Sequence, residues 1–449
     1  MAGVRPMATW QYSFRHVARV TGTSARWGII LIPMAACVGS LCALFLWLLD
    51  VITGFRFDHP AILLGLPFAG MAVAALYQHI GGRSEGGNNL IIDQIHEPGG
   101  GVPLRMAPLV LFGTVISHLF GASVGREGTA VQIGGSLASG FAQLFRLDTR
   151  STRLLLTAGI AAGFGAVFGT PVAGAVFGLE VLTLGCLDYA ALLPVAVASI
   201  VADWTCHAWG IRHTAYHVGF RGIPAADGSI FHVSALLLCK VSLAAICFGL
   251  ASRLFAESTH RLSTAFRTFC PQAWLRPAIG GVLTILLVWI TGTRDYLGLG
   301  VVSPDPAGVS IVNFFGSTHY YPWAWVLKLL FTVIVLACGY KGGEVTPLFF
   351  IGSGLGNALA PVLHVPADLL AGVGFVAVFA GAANTPLACT FMAVELFGAA
   401  DVIYYAAGCF IAYLCSGHTG IYLSQRIGTP KTLLPQLKPG IRLRELPRS

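Results

Sequence analysis

Glu127 stands in the run Gly125-Arg126-Glu127-Gly128, an acid and a base set among glycines inside a strongly apolar sequence. A carboxylate at membrane depth is costly unless it faces a cavity, a partner or a permeating ion, so it marks a functional site by default. Gly125 and Gly128 leave backbone N–H groups uncovered just before the apolar run that opens at Ala130. A half-helix starting here points its positive end and its free N–H groups at an anion. A second acid, Glu344, sits in Gly342-Gly343-Glu344-Val345-Thr346-Pro347, again glycines, an acid, a threonine two residues on and an apolar run. Two positive helix ends converging on one point suit a small anion better than a cation.

Catalysis of a covalent reaction fits these residues poorly. The segment around Glu127 offers only Ser123 and Thr129 as nucleophiles, and neither has a histidine close by to activate it. The thirteen histidines form no His-Glu-x-x-His and the eleven cysteines no Cys-x-x-Cys, so neither a metalloenzyme nor a zinc site is indicated, and the cysteines read as small buried hydrophobes.

The elements that must hold these residues are membrane helices. Of 449 residues, 55% are hydrophobic and 10% charged, against roughly 25% charged in an ordinary soluble domain, and mean hydropathy is +0.76. The expected fold is an all-α polytopic membrane protein. Arg5, Arg15 and Arg19 precede the first apolar run near Trp27 with no acid among them and no cleavage site behind that run, which predicts a retained tail. Arg426, Lys431, Lys438, Arg442, Arg444 and Arg448 follow the last one against a single acid, Glu445. By the positive-inside rule both termini are expected in the cytoplasm, with an even number of crossings. The net charge of +8 therefore signals topology and contact with anionic lipid, not nucleic acid. The stretch after Gln425 is too short to bury a regulatory core of its own.

Several apolar segments are shorter than the roughly 20 residues of an upright span, and longer ones break at Gly169-Thr170-Pro171 and Asn384-Thr385-Pro386. Short, interrupted helices belong to transporter cores in which irregular backbone lines a cavity. The sequence also repeats: Thr170-Pro171-Val172-Ala173 through Glu180-Val181 matches Thr385-Pro386-Leu387-Ala388 through Glu395-Leu396, and nearly the same offset carries Glu127 onto Glu344. The expected plan is a tail over 1–26, a first membrane repeat over 27–215, a connection over 216–232, a second repeat over 233–425 and a basic tail over 426–449. The site is expected at the interface of the repeats, near the bilayer midplane. Glu180 and Glu395, at equal places in the two repeats, read as structural carboxylates. Asn89 is expected to cap a helix starting at Leu90, and the structural alternatives for Glu127 are a salt bridge to adjacent Arg126, although sequence neighbours rarely face each other on a helix, or a capping carboxylate at a helix start.

Gly125-Arg126-Glu127-Gly128 resembles the Gly-Arg-Glu-Gly signature of the CLC chloride channel and transporter family, and the two-half plan extends that resemblance over about 27–425. The resemblance implies inverted repeats with short, broken, tilted helices, and a homodimer with one pathway per subunit. It makes Glu127 the gating and proton-carrying carboxylate. In chloride-handling members the first anion loop reads Gly-Ser-Gly-Ile-Pro, whereas this chain has Gly87-Asn88-Asn89-Leu90, with Asn88 in place of the serine. Their second-half loop reads Gly-x-Phe-x-Pro, against Gly343-Glu344-Val345-Thr346-Pro347 here. Proton-coupled chloride exchangers carry an inner carboxylate just after the glutamate that Glu180 resembles, where this chain has Val181.

These departures resemble the fluoride-exporting branch. They imply export of fluoride in exchange for protons, with Glu344 and Thr346 in proton coupling. The anion would be held by Asn88, by Gly125, Arg126, Gly128 and Val345 at the helix starts, and by Tyr422, which resembles the family's central tyrosine. Fluoride is small and strongly hydrated, so dense hydrogen-bond donors must replace its water, and Glu127 can fill the anion's place when charged and vacate it when protonated. No cofactor or metal is implied. The partners are fluoride, protons, the lipid bilayer and a second subunit, in a bacterial plasma membrane. A chloride channel or chloride/proton exchanger of the same fold is the alternative.

Overall fold

A computed structural model describes residues 7–220, 233–316, 319–431 and 440–446, with side chains from Trp27 onward. Lys438, Arg448, the side chains of Arg5, Arg15 and Arg19, and most of the connection over 216–232 lie outside these described residues. The chain is mostly helical. In order it forms α1 (Met7–Asp58), α2 (Leu66–Leu76), α3 (Gly87–His96), α4 (Met106–Leu119), α5 (Glu127–Leu144), α6 (Thr149–Phe168), α7 (Pro171–Glu180) and α8 (Leu192–Ala208). After the connection come α9 (Ala235–Phe269), α10 (Arg276–Thr291), α11 (Ile311–Phe314), α12 (Ala324–Ala337), α13 (Val345–Leu363), α14 (Ala367–Ala383), α15 (Pro386–Phe397) and α16 (Val402–Cys415). Among the described residues six helical stretches are long and apolar enough to cross a membrane, beginning with Trp27–Asp58, and shorter apolar helices such as Pro171–Glu180 and Pro386–Phe397 lie between them. The first helix runs from Met7, so the described part of the expected tail is helical and continuous with the candidate span that begins at Trp27.

Small residues bring the central helices together. α5 and α6 cross where a Cβ on Gly134 would lie 2.0 Å from the Gly159 carbonyl oxygen and one on Gly163 would lie 2.2 Å from that of Ala130. α13 and α14 cross in the same manner, where a Cβ on Gly352 would lie 2.0 Å from the Gly374 oxygen and one on Gly356 would lie 2.2 Å from that of Leu370. Lipid is as apolar as leucine, so such close backbone approach, with its dispersion contacts, is what holds membrane helices to one another. Gly134→Val forces α5 off α6 and is expected to destabilise the protein by about 3 kcal/mol. Thermal unfolding in detergent should show the loss, whereas Gly54→Ala, with open space around its Cβ position, should leave the midpoint within a degree or so of wild type.

The breaks in α6–α7 and α14–α15 are built from residues that can turn the backbone left-handed. Gly169 ends α6 at φ 69° and Asn384 ends α14 at φ 60°, after which Pro171 and Pro386 start the next helices. Each new helix start is capped from the other half of the chain. Glu395 accepts the Val172 and Ala173 N–H groups at 2.9 and 2.8 Å, and Glu180 accepts those of Leu387 and Ala388 at 3.0 and 2.8 Å. These bonds satisfy backbone donors that a buried helix start would otherwise leave orphaned.

The end of the chain folds back onto the first half. Arg426–Ile427 pairs in parallel with Thr183–Leu184. Arg426 bonds Glu97 at 2.6 Å, Arg442 pairs with the same carboxylate, and Arg444 lies 3.3 Å from Asp93. The basic tail thus covers the C-terminal end of α3.

Candidate functional site

The starts of α5 and α13 meet. Gly125 and Gly343 exchange two backbone hydrogen bonds, N–H to O at 2.6 and 2.7 Å, as an isolated antiparallel bridge. The expected equivalence of Glu127 with Glu344 is one residue off. Arg126 and Glu344 are the N-cap residues, while Glu127 and Val345 are the first residues of the two helices. Glu344 therefore takes the place of Arg126, and the two acids are not related by position.

Glu127 is fully buried and folds back over the junction. Its Oε2 accepts the Arg126 N–H at 3.1 Å and the Thr346 N–H at 3.1 Å, and the Thr346 hydroxyl donates to Oε1. The carboxylate thus occupies a cradle of donors from both helix starts, the place a bound anion would use. Arg126 Nε lies 3.8 Å from Oε1. That pair forms because Arg126 stands outside the helix at the cap, where the rule against neighbours facing each other does not apply. The glycines make the room: a Cβ on Gly125 would lie 2.7 Å from Glu127 Oε2, and one on Gly128 would lie 3.0 Å from the Asn88 amide nitrogen and 3.2 Å from Gly343 Cα.

Asn88 is half-buried beside Gly128, and its Oδ1 is buried with no hydrogen-bond partner among the described residues. α3 begins at Gly87, one residue ahead of Asn88, with Gly87 itself at φ 54°. Asn89 does not cap it. Its Oδ1 instead accepts the Ser424 N–H at 2.9 Å, tying α3 to the segment that carries Tyr422. Val345 is buried, and Glu344 is half-buried with no side-chain hydrogen bond among the described residues. Tyr422 is buried, and its ring lies 6.4 Å from that of Phe177. Glu127, Thr346, Arg126, Gly125, Gly128, Val345 and Asn88 therefore form one cluster, with Glu344 and Tyr422 on its flank and not bonded to it directly.

Sequence reasoning missed the approach. A cavity of about 1080 Å³ opens beside the cluster, walled by Arg56, Arg126, Arg212 and Arg294 against Asp50 and Asp295. Four guanidiniums and two carboxylates give it a positive balance, and a low-dielectric wall focuses that field. A narrower crevice, lined by Arg126, His213, Thr214, Tyr216 and Phe349, continues to Thr346. Behind the wall the fully buried Lys328 donates to the Tyr296 and Gly298 carbonyls at 3.1 and 2.7 Å. These cations come from distant segments with no common spacing, so only the charges themselves could have hinted at them.

Comparison with known proteins follows the same lines. The family model described as voltage gated chloride channel matches residues 66–417. A chloride/fluoride channel protein of Pseudomonas syringae pv. tomato is 50% identical over 428 residues, 94% of this chain and 91% of that one. A putative chloride channel protein of Ralstonia nicotianae, described as ClcB-like, is 30% identical over 67% of this chain and 69% of its own. Among solved structures, a CLC-type fluoride/proton antiporter superposes with a TM-score of 0.83 at 32% identity, covering 90% of this chain and 98% of that one. A slow cyanobacterial chloride/proton antiporter superposes with a TM-score of 0.72 at 18% identity over 87% and 94% of the two chains, which shows the shared fold. With the helix junction, the repeat of broken helices and these matches together, the chain belongs to the CLC family of voltage gated chloride channels and related membrane ion transporters.

Proposed function

We propose that this protein exports fluoride in exchange for protons. The observation that carries the reading is the Glu127 carboxylate seated on the Thr346 N–H and hydroxyl where two helix starts meet. Charged, Glu127 fills the donor cradle. Protonated, it loses most of its attraction for those donors and leaves them to an anion, so proton and anion compete for one place and their fluxes oppose. The cradle offers closely spaced N–H and O–H donors, which suits an anion as small as fluoride. We assign Glu344 and Thr346 to proton coupling and Asn88, Gly125, Arg126, Gly128, Val345 and Tyr422 to the anion.

We read both basic ends as cytoplasmic; α1 then carries the chain across, and the position of Asp50 and Arg56 near its far end supports an outward-facing cationic cavity. We read 27–215 and 233–425 as inverted repeats, supported by the two helix starts at the junction, the matched glycine crossings and the crossed Glu180 and Glu395 caps. Family membership supports a homodimer with one pathway per subunit, and the kinship with bacterial proteins supports a bacterial plasma membrane.

Purified protein in fluoride-loaded liposomes should release fluoride and acidify the interior, and should move chloride far more slowly. A passive channel is the second reading, favoured by the word channel in the name of the Pseudomonas relative. Fluoride release with no proton uptake once the voltage is clamped would establish it and sink the exchange.

A further inference from the structure

Asp203 and His207 lie four residues apart near the end of α8 and so share one face of it. His213 approaches them from the segment beyond, and one ligand-type atom from each of the three lies within 4.8 Å of the others. Asp203 Oδ1 is 3.3 Å from His207 Nδ1, and the His207 and His213 ring centres are 5.3 Å apart. The His213 ring is seated by Gly169, where a Cβ would come within 2.4 Å of its Cδ2.

Two atoms of this cluster are buried with no well-directed hydrogen bond among the described residues: His213 Nε2, and Asp203 Oδ1, whose one close polar neighbour is His207 Nδ1 at 3.3 Å. Orphaned buried polar atoms are rare and call for a reason, and two in one cluster point to a shared missing partner. His207 Nδ1 lies 3.1 Å from the Asp203 backbone carbonyl, which can only accept, so Nδ1 carries the proton and Nε2 keeps the lone pair that a turn of the ring brings to the other two ligands.

We propose that Asp203, His207 and His213 form a binding site for a borderline divalent cation of the zinc class. Two imidazoles and a carboxylate with a fourth position open is a zinc donor set, whereas calcium and magnesium favour all-oxygen shells. Zinc–ligand bonds of about 2.1 Å put ligand atoms roughly 3.4 Å apart, so the cluster closes by modest side-chain rotation. His207 is exposed and gives the ion access. Arg126 and Arg212 stand nearby and oppose a dication, while the Asp203 carboxylate offsets part of that charge. His213 and Thr214 also line both the outer cavity and the crevice that runs to Thr346. A bound ion ties this wall to the end of α8 and narrows the crevice, which slows anion passage. That consequence rests on the transport reading; the site itself does not.

Calorimetric titration of Zn²⁺ into the purified full-length protein tests the site. One equivalent per chain is expected, with affinity falling at least about 10-fold in both His207→Ala and Asp203→Asn. No saturable binding, or unchanged affinity in both variants, overturns the site. In liposomes, external Zn²⁺ should slow fluoride release by wild type at least 2-fold and leave His207→Ala, whose metal-free flux matches wild type, unaffected. Equal flux with and without saturating Zn²⁺ in wild type overturns the link to transport, while calorimetry decides the site independently.

Discussion

Glu127→Gln is expected to abolish fluoride-driven proton uptake, with a fall of at least about 10²-fold in liposomes carrying equal protein. Glutamine keeps the volume of the side chain and one carbonyl acceptor for the Thr346 donors, so the helix junction survives. It cannot carry the proton. It also lacks the charge that makes the side chain a strong rival for the anion's place, so fluoride movement continues or rises while protons stop. The paired recording of internal pH and fluoride separates this outcome from simple misfolding, in which both signals vanish. Full proton coupling in the variant would remove Glu127 from the cycle and leave Glu344 as the acid to pursue.

The second large effect is expected at Thr346→Val. Valine preserves the shape and the backbone N–H but removes the hydroxyl that donates to Glu127 Oε1. A hydrogen bond to a charged acceptor contributes about 1.5–3 kcal/mol, so the seated state of the carboxylate weakens by roughly 10- to 150-fold. The seat then stands open more often, and fluoride leaks without a proton in exchange. Fluoride flux per proton should rise, and Thr346→Ser, which restores the hydroxyl, should bring the ratio back. A ratio unchanged in the valine variant would show that the backbone N–H alone holds Glu127.

Much of this arrangement was legible in the sequence because glycine and proline carry local instructions. The runs around Gly125 and Gly343 announced two helix starts, and Gly169-Thr170-Pro171 with Asn384-Thr385-Pro386 announced two breaks, each of which the backbone realises as an αL residue followed by a proline at the start of the next helix. The register between the halves was misread by one residue. The sequence aligns acid with acid, whereas backbone pairing aligns Gly125 with Gly343 and so sets Glu344 beside Arg126. Asn89 was misassigned because a cap and a long-range tether use the same amide, and only the fold brings Ser424 within 2.9 Å. The cationic cavity was invisible for a similar reason. Arg56, Arg212 and Arg294 share a wall without sharing an element, and charge convergence of that kind exists only in three dimensions.

The crossed caps on α7 and α15 also impose an order in time. Val172 leaves the ribosome 223 residues before Glu395, the side chain that accepts its N–H. At 5–20 residues per second the first half therefore waits roughly 10 to 45 seconds with two donors at the start of α7 unmet. The second half has no such delay, because Glu180 is already in the membrane when Leu387 and Ala388 arrive. The first half is thus an unfinished intermediate throughout synthesis, and the chain seals itself only when α15 slides in beside α7. A nascent chain stalled before Glu395 would hold Glu127, Arg56, Arg126 and Arg212, yet lack the carboxylate that closes its own helix.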